Sequence, residues 1–202
     1  QAKMREIPTP ADFGAVGDDT ADDTLAIQKL LDAHLRIDLG GVGKKYKVTN
    51  VLALRTGHHI TASGAEIRQA TNNKEIFNGE GKSDITIHGV IARGVGSDFS
   101  DSDGSRAVFL YLGTSGSRIS VTGSKFFNFS YTPVRCAGVS NITFSGNYVE
   151  GPGSPILTAI ASGRCYGFLA DAGCTNVMAY GNAISKCAQG FRIEATSRFV
   201  VS

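Results

Sequence analysis

Apolar and polar positions alternate along much of this chain with a period of two, in short bursts that end on glycine. Five bursts share one wording at residues 58–64, 83–89, 117–123, 140–146 and 175–181: a polar opening, an apolar-polar-apolar alternation, then glycine. Ser83, Asp84, Ile85, Thr86, Ile87, His88 and Gly89 spell out one copy. The closing glycines fall 25, 34, 23 and 35 residues apart, a repeat of about two dozen residues with about eleven more in alternate copies. A period of two makes each burst a half-buried strand, and the glycine marks a bend or a close backbone approach. Stacking each strand on its copy, ~4.8 Å along an axis, buries a face that no single copy could bury. The pattern predicts a parallel β-helix.

A second strand is expected ahead of each phrase. Positions six and four residues before the opening polar residue are Phe77 and Gly79, Tyr111 and Gly113, Val134 and Cys136, Leu169 and Asp171, Phe191 and Ile193. Most are apolar or small, as an inward-facing column requires. Asp171 fits badly, which points to a bulge in the register or to an irregular rung. The alternate positions are expected to face outward: Asn78 and Glu80, Leu112 and Thr114, Arg135 and Ala137, Ala170 and Ala172, Arg192 and Glu194.

The N-terminal segment departs from the repeat. Asp12, Phe13, Gly14, Ala15, Val16, Gly17, Asp18 and Asp19 lead into Asp22, Asp23, Thr24, Leu25, Ala26, Ile27 and Gln28. This wording resembles the opening of pectate-lyase-like right-handed β-helix proteins, usually written DFGAxGDGxTDDTxAIQxAIDA. The resemblance implies a single-stranded right-handed parallel β-helix, all-β apart from an N-terminal capping α-helix. Leu25, Ile27, Leu30, Leu31 and Leu35 suit a helix over 22–35 that docks one face. Ala21 stands where the family pattern has the capping Thr, so the helix is expected to start from Thr20 or Asp22. Residues 1–50 are read as the cap and 51–202 as the rungs. The run Ile37, Asp38, Leu39, Gly40, Gly41 and the later Tyr46 and Val48 resemble bacteriophage tailspikes and related depolymerases more than pectate lyases. A sixth phrase opens at Ser197, and its glycine would fall one position after Ser202, so the C-terminal end is expected to be truncated.

With 42% hydrophobic residues and a net charge of +2, composition allows a core and gives no bias towards nucleic acid or membrane partners. No long apolar run predicts a membrane-crossing helix. Cys136, Cys165, Cys174 and Cys187 lack zinc-type spacing and are read as small apolar residues lining the solenoid. Surface or helix-end roles are expected for His34, His58, His59 and His88. The run Phe126, Phe127, Asn128, Phe129, Ser130 and Tyr131 is expected mainly to fill the core of its rung, with sugar stacking as the alternative.

The two longer segments, about 92–106 and 150–165, follow phrase strands two rungs apart and are expected to wall a groove beside the outward face of the preceding sheet, suited to an extended polymer. Candidate catalytic acids are Asp98, Asp101 and Asp103 in the first segment, with Glu150, Asp171 and Glu194. Candidate substrate-binding residues are Arg135, Arg192, Tyr166, Arg106 and Arg164. Glycoside hydrolysis needs two carboxyls at a set separation; elimination next to a uronate needs a base and cationic charge, for which Arg135, Arg192 and Tyr166 are suited. No cofactor is expected, although alternate acids between Gly96 and Gly104 raise a calcium site as an alternative to a solvated loop. Neither the DPHE-type motif of alginate epimerases nor the NTD and RxH motifs of polygalacturonases occurs. The resemblance implies a homotrimeric spike, on a virion tail or otherwise extracellular, that binds and depolymerises a bacterial surface polysaccharide; the alternative is a non-catalytic shaft, adhesin or scaffold.

Overall fold

The structure is a computed structural model, and it describes residues 7–95, 108–152, 165–194 and 197–202. The chain winds through three parallel sheets in turn. The leading sheet stacks Leu52–Ala53, Phe77–Asn78, Val108–Leu112, Thr132–Cys136, Tyr166–Ala170 and Gln189–Ile193. The phrase sheet holds Arg36–Gly41, His59–Ser63, Ile85–His88, Gly116–Thr122, Val139–Ser145, Thr175–Tyr180 and Ser197–Val201. The trailing sheet holds Asp18–Asp22, Lys45–Val48, Glu66–Gln69, Ile91–Arg93, Lys125–Phe127, Tyr148–Glu150 and Ala183–Ser185. Each strand pairs in parallel with its copy one turn away, which is the parallel β-helix.

The phrases lie in register as the repeat requires: Ile85 faces Ile119, Ile119 faces Ile142, Ile142 faces Val177, and Val177 faces Phe199 of the sixth copy. The first copy is the exception, because Ile60 pairs with Ile87 and not with Ile85. A slip of two residues leaves every side chain on its own face, so the core tolerates it. All five closing glycines have positive φ, and a Cβ on Gly89 would sit 2.3 Å from the Ala62 carbonyl oxygen. That corner therefore accepts only glycine. The second residue of the later phrases is left-handed as well: Asp84, Arg118, Asn141, Asn176 and Arg198 have φ between 48° and 59°. Asn and Asp tolerate that conformation better than most residues, and they fill three of the five places.

The interior is a stack of matched columns. Tyr46, Ile67, Ala92, Phe126, Val149 and Ile184 align on the trailing sheet. Phenylalanines link the sheets: Phe109 lies 5.3 Å from Phe77 and 5.0 Å from Phe126, and Phe144 stacks at 6.1 Å on Phe126 and 4.9 Å on Phe168. Of the aromatic run, Phe126 and Phe129 are buried while Phe127 and Tyr131 lie at the surface boundary. At the corner after the phrase, Asn147 accepts from the Ser124 amide at 2.9 Å and donates to the Val121 carbonyl at 3.0 Å. Asn182 repeats the arrangement one rung on, donating to the Phe144 carbonyl at 2.8 Å. These amides satisfy backbone groups that the bend takes out of the sheet ladders.

At the N-terminal end the helix runs Thr24–Ala33 and buries Ile27, Leu30 and Leu31. Leu25 and Leu35 are exposed, so the docking face is narrower than the expected five residues. The N-cap is Asp23, not Thr20 or Asp22; Asp22, one residue earlier, accepts from the Thr24 amide at 3.1 Å and the Thr24 hydroxyl at 2.5 Å. Asp23 is buried and accepts from the amides of Val16 and Gly17 at 2.7 and 3.0 Å, fastening the glycine-rich loop to the helix start. His58 corrects the expected surface role, for it is fully buried. Its Nδ1 accepts from the Arg55 amide at 2.8 Å and its Nε2 lies 3.1 Å from the Leu31 carbonyl, which fixes the proton on Nε2.

Candidate functional site

The leading sheet carries the polar face that the sequence singled out, with one correction of parity. Pairing of Asn78 with Tyr111, Tyr111 with Arg135, Arg135 with Leu169, and Leu169 with Arg192 makes those residues one outward column. The sequence places Tyr111 and Leu169 inward, and Leu112 and Ala170 outward; the pairing reverses all four, with Leu169 on the outer side of its strand and buried there. The cause is one extra residue in the turn. Seven residues separate Leu110 from Ser117 and Phe168 from Thr175, where six separate Val134 from Ser140. A shift of one exchanges the faces of a strand. Asp171 thereby falls beyond the strand and out of the core column, which removes the misfit seen in the sequence.

Around this column, side chains from four rungs join in one cluster. The Arg135 guanidinium donates from Nε to Asp171 Oδ2 at 2.8 Å, and its carbon lies 5.7 Å from the ring centres of both Tyr111 and Tyr131. Tyr131 meets Tyr166 edge-on at 5.6 Å. Arg192 lies 5.4 Å over the Tyr166 ring, donates to the Tyr166 hydroxyl oxygen at 2.5 Å, and donates from Nε to Glu194 at 2.8 Å. Exposure is graded along the face, because the Arg135 and Asp171 side chains are 23% and 22% exposed and those of Arg192 and Glu194 are 45% and 42%. Burial opposes the charge of Arg135, but the Asp171 hydrogen bond and charge outweigh it and raise the guanidinium pKa. Burial also pushes up the Tyr131 phenol, keeping it a neutral hydrogen-bonding group.

Five of the expected site residues, Arg135, Asp171, Tyr166, Arg192 and Glu194, thus stand together. Tyr111 and Tyr131 belong with them: the sequence pattern turns Tyr111 inward, and it offers Tyr131 only within an aromatic run read mainly as core, with sugar stacking as the alternative. Glu150 stands apart, on the trailing sheet, where it accepts from Lys186 and from the Tyr148 hydroxyl. Those two hydrogen bonds hold its carboxyl below the usual carboxylate range, the opposite of what a general acid needs. Asp98, Asp101, Asp103, Arg106 and Arg164, with the calcium alternative between Gly96 and Gly104, lie outside the described residues. Arg93 and Glu150, where the trailing strands before the two longer segments end, share one column through Phe127 and are two rungs apart. Among the described residues no group of three or more His, Cys, Asp or Glu is placed to hold a metal ion.

Chemically, this face offers flat phenol rings with cations seated over them and ion pairs at its edges. Such rings stack on the apolar faces of sugars, while guanidiniums bind carboxylates in two-pronged fashion. No family model and no curated protein sequence matches the chain. Solved structures do match. The Streptococcus pneumoniae surface protein and adhesin PfbA aligns over 91% of this chain and 54% of its own, with 16% identity and a TM-score of 0.67. At this level of identity the likeness is one of fold, the parallel β-helix. A candidate glycosyl hydrolase from Parabacteroides merdae matches this β-helix over 98% of both chains, with 14% identity and a TM-score of 0.72. ORF18 of Geobacillus virus E2 aligns over 95% of this chain and 40% of its own, with 15% identity and a TM-score of 0.65. The chain thus spans about half or less of PfbA and ORF18. No helix among the described residues is long and apolar enough to cross a membrane.

Proposed function

We propose that this chain binds a bacterial surface polysaccharide along the outer face of the leading sheet and depolymerises it, as part of a trimeric, tailspike-like protein acting outside the host cell or on a virion tail. The observation that carries the reading is the series Tyr111, Arg135, Tyr131 and Arg192, linked through the buried Tyr166, which sets rings and cations along one face of the stacked rungs. A polymer lying along the solenoid axis crosses one rung about every 5 Å, close to the length of one sugar residue. The two cations favour a polysaccharide that carries carboxylates.

Among the described groups, eliminative cleavage is better supported than hydrolysis. Hydrolysis needs a protonated carboxyl opposite an ionised one. Asp171 and Glu194 are each tied to a guanidinium, Arg135 and Arg192 respectively, instead of facing one another as such a pair. Elimination uses a cation to neutralise a uronate and a phenol or guanidine to move the proton. Tyr166 is buried and accepts from Arg192, so here the half-exposed Arg192 is the group that meets a substrate, while Tyr111 and Tyr131 offer the more accessible phenols. The same ion pairs favour the second reading, a non-catalytic adhesin or shaft whose face binds glycan without cutting it.

The test is incubation with a panel of acidic bacterial polysaccharides, following reducing ends and the ultraviolet absorbance of unsaturated uronates. Both signals together support elimination, and reducing ends alone indicate hydrolysis. Binding without either signal supports the adhesin reading.

A further inference from the structure

The outer face of the phrase sheet carries a groove that the leading face does not share. Its floor is the outward column of the phrase strands: Thr86 pairs with Ser120, Ser120 with Thr143, Thr143 with Met178, and Met178 with Val200. One side is the left-handed second residue of each phrase, Asp84, Arg118, Asn141, Asn176 and Arg198, always two positions before its floor residue. Two depressions follow one another along this line. One, of about 370 Å³, runs from Asp84 and Thr86 to Thr143; the other, of about 440 Å³, runs from Asn141 to Val200, and the two share Asn141 and Thr143. They form one groove parallel to the solenoid axis, and its five stacked strands span roughly 19 Å from first to last.

Uncharged hydrogen-bonding groups dominate the groove. Thr86, Ser120 and Thr143 are half-buried, and among the described residues their hydroxyls have no partner within the protein. Asp84 and Arg118 neutralise one another in a two-pronged ion pair, at 2.5 Å from Nε and 2.7 Å from the terminal nitrogen. Asn176 donates to Asn141 Oδ1 at 3.0 Å, which leaves the Asn141 amide hydrogens and the Asn176 carbonyl oxygen to a ligand. At the far end Met178 and Val200 are 44% and 52% exposed, beside Arg198.

We propose that this groove is a second glycan site, which takes an uncharged oligosaccharide of about four sugar residues laid along the axis at one residue per rung. Sugar hydroxyls donate and accept, as do the Thr, Ser and Asn side chains that meet them. The apolar face of a sugar ring packs on Met178 and Val200, where the flexible thioether adapts to its shape. Both depressions fall in the size range of small-molecule sites. A second copy of the chain is a poorer occupant, because the floor offers only Met178 and Val200 as apolar contacts, whereas a stable subunit interface buries about 800 Å² on each partner. The leading face recognises charge through Arg135 and Arg192; this face recognises hydroxyls, and it stands whether or not the leading-face reading does.

The experiment titrates the isotope-labelled full chain with maltohexaose, cellohexaose, xylohexaose and chitohexaose and follows backbone amide shifts by NMR. At least one of these sugars should move the amides of Thr86, Ser120, Thr143 and Met178 and leave those of Tyr111, Arg135 and Arg192 in place, with a Kd that salt does not change. Thr143→Tyr fills the stretch that both depressions share, on a strand that accepts an aromatic residue, and should raise the Kd at least about tenfold. The variant Arg135→Ala with Arg192→Ala should bind the same sugar as tightly as wild type. Loss of binding in that variant, with shifts on the leading sheet, assigns the sugar to the leading face and overturns the inference. So does the failure of all four sugars to bind, or concentration-dependent broadening of the phrase-sheet amides without sugar, which gives the face to a second copy. Because the shifts are mapped on the wild-type chain, the result does not depend on a variant folding.

Discussion

Arg192 lies on its strand with nearly half of its side chain exposed, yet it touches both Tyr166 and Glu194. An exposed ion pair contributes little to stability, so the place of this residue in the cluster is better explained by recognition than by folding. Arg192→Ala should leave Tm within about 2 °C of wild type while weakening polysaccharide binding at least about tenfold, roughly 1.4 kcal/mol; calorimetry and a binding isotherm on the same preparation check both. His58 makes the opposite case, a polar residue whose work is structural. Burial lowers its pKa below the ordinary 6.5, so the unfolded chain binds the proton more readily than the folded one. Stability is therefore at its full value above pH 6.5 and declines as the pH falls below it. Tm measured from pH 8 to pH 5 should fall, and His58→Gln should start lower but flatten the decline. Single residues were legible in proportion to how much chemistry they carry. Arg135, Arg192 and Asp171 stood out because charge is conspicuous on a half-buried strand. Tyr111 and Tyr131 did not, since a ring reads as core until its face is known, and His58 read as surface because its partners are backbone groups of a distant segment.

At the scale of elements, the phrase was read correctly because strand, bend and glycine each leave a local mark. Turns gave less. One residue more in the turn before residue 117 and in that before residue 175 reversed two strands, and nothing in Gly113, Thr114 and Ser115 announces the extra length. The left-handed second residue of the phrase was likewise overlooked, although Asp84, Asn141 and Asn176 are the residue types that occupy it. Asn176→Val, a β-branched side chain at φ 52°, should destabilise by about 2 kcal/mol in urea unfolding, whereas Asn176→Gly should be close to neutral. The corner amides give a second check. Asn147→Ala strands the Ser124 amide and the Val121 carbonyl in the interior and should cost about 2–4 kcal/mol. Phe144→Ala, which opens a gap between Phe126 and Phe168, should cost about 3–5 kcal/mol.

Across the whole molecule, the solenoid turns a short repeat into a long face, and function follows from which of three faces carries the chemistry. The phrase sheet presents Thr86, Ser120 and Thr143 in line, and the trailing sheet binds Glu150 to Lys186. Only the leading sheet, among the described residues, joins tyrosines and arginines over several rungs. The architecture was legible because it is written five times over, whereas the site is written once and is assembled from residues 111 to 194. The measurement that tests the account most directly is binding of an acidic bacterial polysaccharide to the wild-type chain and to the variant Arg135→Ala with Arg192→Ala, at low and at moderate salt. Wild-type binding should weaken as salt screens the two cations, and the variant should lose most of it. Equal binding by both proteins, with no dependence on salt, would place recognition on another face and contradict the account.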